Sequence, residues 1–298
     1  MALATPTGTL RESILSLNGF SLSYCQGPTA GPPLVLLHGV TRCWQTFLVL
    51  FPVLTLRWEV LAFDFSGHGR SSRKASSYRV VDYLDDALLL LRQGVHRPAV
   101  LYGHSLGAMV ALAAAAQEPS RVRGLILEDP PFHAMGRRLP GSPLHSFFLG
   151  IHHALREDLS LAGLTSRLAA LRVPDPAKNQ GRTLGELRDI TSLRFTAKCL
   201  KQMDPGVLCS ILDGLWLEGY DQESFLRRIR CPTLVLQADA AAGGMLSEED
   251  ADQIEQCIPD CSRVRIPRGH HLLHWTSTET VLRLVTGFLE SLSEEGDG

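Results

Sequence analysis

A chain of 298 residues with 45% hydrophobic and 20% charged side chains and a mean hydropathy of +0.05 has the composition of a soluble globular protein, long enough for one large α/β domain or two small ones. Lys+Arg 29 against Asp+Glu 31 gives a formal net charge of -2, and no basic run or basic-aromatic stripe stands out, which argues against a nucleic-acid partner. Apolar stretches are interrupted well before the roughly 20 residues needed to cross a bilayer.

The start, Met1-Ala2-Leu3-Ala4-Thr5-Pro6, lacks the basic residues and continuous apolar core of a secretory signal, so a cytoplasmic location is expected. Seven cysteines, an odd number scattered along the chain, do not have the pattern of a disulfide framework and are expected to be mostly buried thiols. Cys257 and Cys261 lack the C-x-x-C spacing of a metal or redox pair and read as free thiols.

Ser13-Ile14-Leu15-Ser16-Leu17 and Phe20-Ser21-Leu22-Ser23-Tyr24 alternate apolar and polar side chains around Asn18-Gly19, the signal for a hairpin at a sheet edge. Leu34-Val35-Leu36-Leu37 is apolar on both faces, as a covered parallel strand must be. It runs into His38-Gly39-Val40, where His38 is expected to make structural hydrogen bonds. Trp44 and Phe47 are placed on a helix running to Leu54 and are expected to pack under the sheet. A strand at Glu59-Val60-Leu61-Ala62-Phe63 leads into Asp64-Phe65-Ser66-Gly67-His68-Gly69-Arg70-Ser71, and residues 80–92 read as an amphipathic helix.

Pro98-Ala99-Val100-Leu101-Tyr102 is a further buried strand. It meets the alanine- and leucine-rich helix that starts at Leu106 through Gly103-His104-Ser105-Leu106-Gly107. A turn this sharp strains the serine backbone and brings segments too close for a β-carbon at Gly103 or Gly107, while it exposes the Ser105 hydroxyl at a helix N-terminus. Val122-Arg123-Gly124-Leu125-Ile126-Leu127 is the next strand, closed by Glu128-Asp129-Pro130-Pro131. From about 132 to 228 the pattern changes to short leucine-rich helical pieces broken by Gly and Pro. The histidines there, His133, His145, His152 and His153, lack the ligand spacing of a metal site and read as solvated. Pro232-Thr233-Leu234-Val235-Leu236-Gln237 returns to strand and delivers Ala238-Asp239. A helix over 247–258 opens on a Ser247 N-cap, Val264-Arg265-Ile266 is the last strand, and a final helix runs over 278–292.

Gly-His-Ser-Leu-Gly at 103–107, His38-Gly39 after a buried strand and the D-x-x-G-x-G-x-S pattern from Asp64 to Ser71 together resemble the α/β-hydrolase family over nearly everything from Ser13 to Leu292. The resemblance implies a mostly parallel twisted sheet flanked by helices, with a core of 1–131 and 229–298 and an inserted helical cap at 132–228. It implies a nucleophile elbow at Ser105 and an oxyanion hole from the backbone N–H groups of Val40 and Leu106. The family's chain order of Ser, acid, His gives Ser105, Asp239 and His271, each just past the end of a strand. His271 is preferred to His270, where glycine is usual. The acid departs from the family pattern, because Ala241 fills the slot where many members carry it. Asp239 reaches the histidine only if the loop at Gly243-Gly244 bends back, and Glu128 or Asp129 serves relatives that place the acid one strand earlier.

The implied activity is cofactor-independent hydrolysis of a small-molecule carboxylic ester or lactone through an acyl-enzyme, with water as second substrate. A serine nucleophile argues against epoxide hydrolase and haloalkane dehalogenase chemistry and leaves amide cleavage, C–C hydrolysis and perhydrolysis open. The competing expectation is a binding protein of the same fold that senses a small molecule with little or slow turnover.

Overall fold

The apolar runs of the sequence become the strands of one eight-stranded sheet in the computed structural model, which describes residues 9–17, 19–28, 31–74, 77–136, 138–175 and 178–292. Its strands are β1 (Arg11–Leu17), β2 (Phe20–Gln26), β3 (Pro33–Leu37), β4 (Glu59–Phe63), β5 (Ala99–His104), β6 (Val122–Glu128), β9 (Thr233–Ala238) and β10 (Cys261–Ile266). A separate small hairpin joins β7 (Arg172–Asp175) to β8 (Lys178–Thr183).

The spatial order is β1-β2-β4-β3-β5-β6-β9-β10. The first two strands pair antiparallel at one edge and every pairing from β4 to β10 is parallel. Asn18 of the expected hairpin turn lies outside the described residues. Chain order reverses at β3, which has β4 on one side and β5 on the other. In an open α/β sheet that reversal leaves a crevice at the carboxyl ends of the strands, where a ligand is accommodated.

Burial on both faces explains the unbroken apolar strands: every residue of β3, β5 and β9 is buried. Each Leu or Val so covered contributes roughly 1.5–3 kcal/mol. The helix Leu106–Gln117 is buried from Leu106 through Ala116. Its small alanines let it lie close on β5 and β6 beneath the helices Val80–Leu89 and Gln222–Arg228. Trp44 and Phe47 pack in the core as expected. The expected helix through Leu54 is instead a 3-10 turn, Trp44–Phe47, followed by a single turn, Phe51–Leu54. Residues 80–92 are helical to Leu89 and then widen into a π turn, Leu90–Gly94.

Between β6 and β9 the chain forms the helices Pro143–Arg156, Leu161–Ala169, Ile190–Gln202, Gly206–Leu212 and Gln222–Arg228, with shorter turns between them. The β7-β8 hairpin in this insertion departs from the all-helical reading: residues 172–183 are mostly polar, include two prolines and a glycine, and carry no period-2 apolar pattern to announce a strand. No helix among the described residues is long and apolar enough to cross a membrane.

Candidate active site

Ser105 sits at the turn between β5 and the helix Leu106–Gln117 with φ 55 and ψ -118, a conformation sparsely populated by residues with a side chain. Crowding explains the glycines on either side. A β-carbon on Gly103 would lie 2.1 Å from the Gly107 carbonyl oxygen, and one on Gly107 would lie 1.9 Å from that of Leu37. Four non-glycine residues among those described have positive φ: Thr41, Ser105, Asp129 and Arg268. Thr41, Ser105 and Asp129 surround the same crevice, and strain concentrated in one place marks a functional site.

His271, in the loop after β10, directs its Nδ1 to Asp129 Oδ2 at 2.6 Å, and the Asp129 side chain is fully buried. An ionised carboxylate only accepts, so Nδ1 carries the proton and Nε2 keeps its lone pair. Asp129 is itself fixed by backbone donors: Oδ1 accepts from Ala238 N at 3.2 Å and Leu246 N at 3.1 Å, and Oδ2 from Met245 N at 2.8 Å. His270 is exposed and does not line the cavity that holds His271.

The expected pairing of Asp239 with His271 is not what the structure shows. Asp239 Oδ1 accepts from Ala241 N at 2.9 Å and Oδ2 from Arg268 N at 2.9 Å. These N–H groups hold its pKa below the usual carboxylate range. The carboxylate caps the turn that follows it and ties that turn to the loop after β10, so both of its oxygens are engaged away from His271. Gly244 N donates to the Asp239 carbonyl at 2.9 Å. The diglycine turn thereby carries Met245 and Leu246 back to Asp129 instead of carrying Asp239 forward to His271.

Successive residues of a strand face opposite sides, and Glu128 makes a second carboxylate-imidazole pair behind the first. Its Oε1 accepts from His274 Nδ1 at 2.7 Å and His274 N at 3.1 Å, and Tyr102 donates its hydroxyl to Oε2. Both side chains are fully buried. His104, beside the serine, donates from Nε2 to the His271 carbonyl at 2.9 Å and so steadies the histidine loop. Burial, then the neighbouring His271 and His274, holds its pKa well below the usual histidine value. Burial likewise holds the pKa of His38 well below the usual histidine value. The His38 ring donates from Nδ1 to Gly39 O at 2.8 Å and accepts from Phe65 N at 3.1 Å, which fixes the turn leading to Val40.

Gly39 lets that turn approach the elbow: a β-carbon there would lie 3.1 Å from Ser105 Cβ. Among the described residues neither the Val40 nor the Leu106 N–H is taken up by a backbone carbonyl. Val40, Ser105 and His271 line one cavity of about 100 Å³ whose walls are mainly apolar, with Phe147, Phe148, Met135 and Trp216 from the insertion. Two arginines that sequence reasoning did not single out, Arg42 and Arg188, also line it. Arg42 follows Val40 by two positions, which is the one signal that could have found it. Among the described residues no group of three or more His, Cys, Asp or Glu is placed to hold a metal ion.

A family model described as the alpha/beta hydrolase fold matches residues 32–278. The chain is 24% identical over 271 residues to the 2-(acetamidomethylene)succinate hydrolase of Mesorhizobium japonicum, covering 88% of this chain and 89% of that one. The crystal structure of an E-2-(acetamidomethylene)succinate hydrolase superimposes with TM-score 0.75 at 21% identity over 95% of this chain and 100% of that one. The enol-lactonase from Burkholderia xenovorans LB400 gives TM-score 0.71 at 18% identity over 93% and 100%. Parallel sheet, strained elbow serine and matched family model agree: the chain belongs to the α/β-hydrolase fold family.

Proposed function

We propose that this protein is a serine hydrolase that cleaves a small carboxylic ester or lactone through an acyl-enzyme, with Ser105 as nucleophile, His271 as base and Asp129 as the orienting acid. One observation carries the reading: a buried, backbone-anchored carboxylate at 2.6 Å from an imidazole that shares a cavity with the elbow serine. His271 Nε2 takes the Ser105 proton as the hydroxyl attacks the carbonyl, and the Val40 and Leu106 N–H groups receive the oxyanion. The protonated imidazole is stabilised by Asp129 and returns the proton to the leaving group. Water then enters, His271 repeats the transfer, and the acid product leaves.

Residues 132–228 act as the cap over a core of 1–131 and 229–298, and exclude water from the acyl-enzyme. A sensing protein without turnover is the reading that Ala241, in the slot where many members carry the acid, would favour. Asp129 at 2.6 Å from His271 supports turnover instead. A second reading, hydrolysis of an amide, is favoured by the relative that hydrolyses 2-(acetamidomethylene)succinate. All seven cysteines are free, which fits a reducing, cytoplasmic setting.

The test is turnover of a panel of short-chain esters, lactones and N-acyl amides by the protein and by Ser105→Ala. Ester or lactone cleavage that falls on the order of 10³-fold or more in the variant is the expected result. Cleavage confined to amides selects the second reading, and a variant that keeps more than about a tenth of the rate removes both.

A further inference from the structure

Arg42 and Arg188 reach the cavity from two parts of the chain. Arg42 lies in the loop after β3, and Arg188 in the insertion between the turn Leu184–Leu187 and the helix Ile190–Gln202. Arg42 is 6% exposed. Its Nη1 donates to Thr196 Oγ1 at 2.8 Å, and its guanidinium carbon is 5.9 Å from the centre of the Trp275 ring. These contacts satisfy a fraction of its five donors.

Cys43 and Cys199 are the titratable neighbours of Arg42, and Arg42 is the charged neighbour of Arg188. Among the described residues no carboxylate pairs with either side chain. Burial pushes Arg188 down to about 9, and the positive neighbour adds to it. Two like charges in an apolar cleft with no counter-ion are unfavourable for the fold, so their natural complement comes from outside the chain.

We propose that the substrate carries a free carboxylate, held between Arg42 and Arg188 while its scissile carbonyl lies at Ser105. This rests on the hydrolase reading given above. A carboxylate fits for two reasons. Its two coplanar oxygens match the guanidinium fork, and a cavity of about 100 Å³ holds a short acyl chain with a compact anion, being below the roughly 300–1,000 Å³ of drug-sized pockets. Arg42 belongs to the sheet side and Arg188 to the insertion, so the bound anion joins the two and closes the water-excluding face of the site.

The experiment compares kcat/KM for monoethyl succinate and its neutral isostere ethyl succinamate, followed by proton release. The charged half-ester is expected to be preferred by about 10- to 100-fold. That ratio should fall towards one in Arg188→Met and be partly kept in Arg188→Lys. Binding is read separately as thermal stabilisation by succinate against succinamide. Succinate alone should raise the midpoint by about 2 °C or more, and less in Arg188→Met. Equal kcat/KM for the two esters, equal stabilisation by the two ligands, or a preference that survives Arg188→Met overturns the carboxylate site. Failure of a fluorophosphonate to label Ser105, with selective stabilisation by succinate intact, overturns the hydrolase reading and leaves the anion site standing.

Discussion

A carboxylate that orients an imidazole must itself be held still, and Asp129 is held by three backbone N–H groups, from Ala238, Met245 and Leu246. Asp129→Asn replaces an acceptor by a donor facing Nδ1 and favours the wrong imidazole tautomer, a change that costs about 10⁴ in kcat in a well-studied protease triad. A loss on that order is expected in initial rates of ester cleavage. Asp239→Asn should stay within about tenfold of the wild-type rate, because its carboxylate caps a turn and is not at the histidine. The reverse ranking would return the acid to Asp239. At the histidine pair, His271→Ala should match the loss of Ser105→Ala, whereas His270→Ala, at an exposed position, should change kcat/KM only modestly. Equal losses in the two would show that the loop as a whole, and not one imidazole, is required.

The strands show what a sequence can disclose at the scale of an element. Leu34-Val35-Leu36-Leu37 and Leu234-Val235-Leu236 are apolar on both faces because helices cover both faces, so their place in a parallel sheet was legible. The elbow was legible for a steric reason, since only glycine fits at 103 and 107. The acid was not. Which strand supplies it depends on the path of the Gly243-Gly244 turn, and two flexible residues leave that path to tertiary contacts: here Gly244 N bonds back to Asp239 O. Arg188 was invisible for a similar reason, because nothing local marks an arginine that enters a cavity from a distant insertion. The elbow also makes an element-scale prediction. Gly107→Ala places a methyl group 1.9 Å from the Leu37 carbonyl oxygen. Backbone on both sides cannot yield cheaply, so a loss of about 3 kcal/mol or more is expected in the urea midpoint. A variant as stable as wild type would mean that β3 and the elbow helix separate more easily than this packing implies.

Buried titratable groups set how the whole molecule responds to acid. His38 and His104 are held neutral well below the usual histidine value, and His68 is pushed down to about 4, in each case chiefly by burial. Below pH 6.5 the unfolded chain binds protons at these positions that the folded chain does not, so stability is lost as pH falls from 6.5 towards the folded values. Asp64, pushed up to about 6, and Asp86, also raised, chiefly by burial, act in the opposite sense. Their folded carboxyls take up protons before the unfolded ones do, which restores part of the stability over the same interval. The histidine loss begins at pH 6.5, above the value of about 6 at which Asp64 takes up its proton, so the urea midpoint is expected to be lower at pH 5 than at pH 7. A midpoint that rises on acidification would show that the aspartates dominate, and that burial of these imidazoles is less complete than the packing around β3 and β5 indicates.

The central claim, that Ser105 is a nucleophile activated by the Asp129-His271 pair, is tested most directly by the site and rate of covalent labelling with a fluorophosphonate. Peptide mapping should place the adduct on Ser105 alone. The labelling rate should fall on the order of a hundredfold or more in His271→Ala and Asp129→Asn, while Asp239→Asn labels at close to the wild-type rate. Labelling of another residue, or of Ser105 at a rate indifferent to His271 and Asp129, would contradict it.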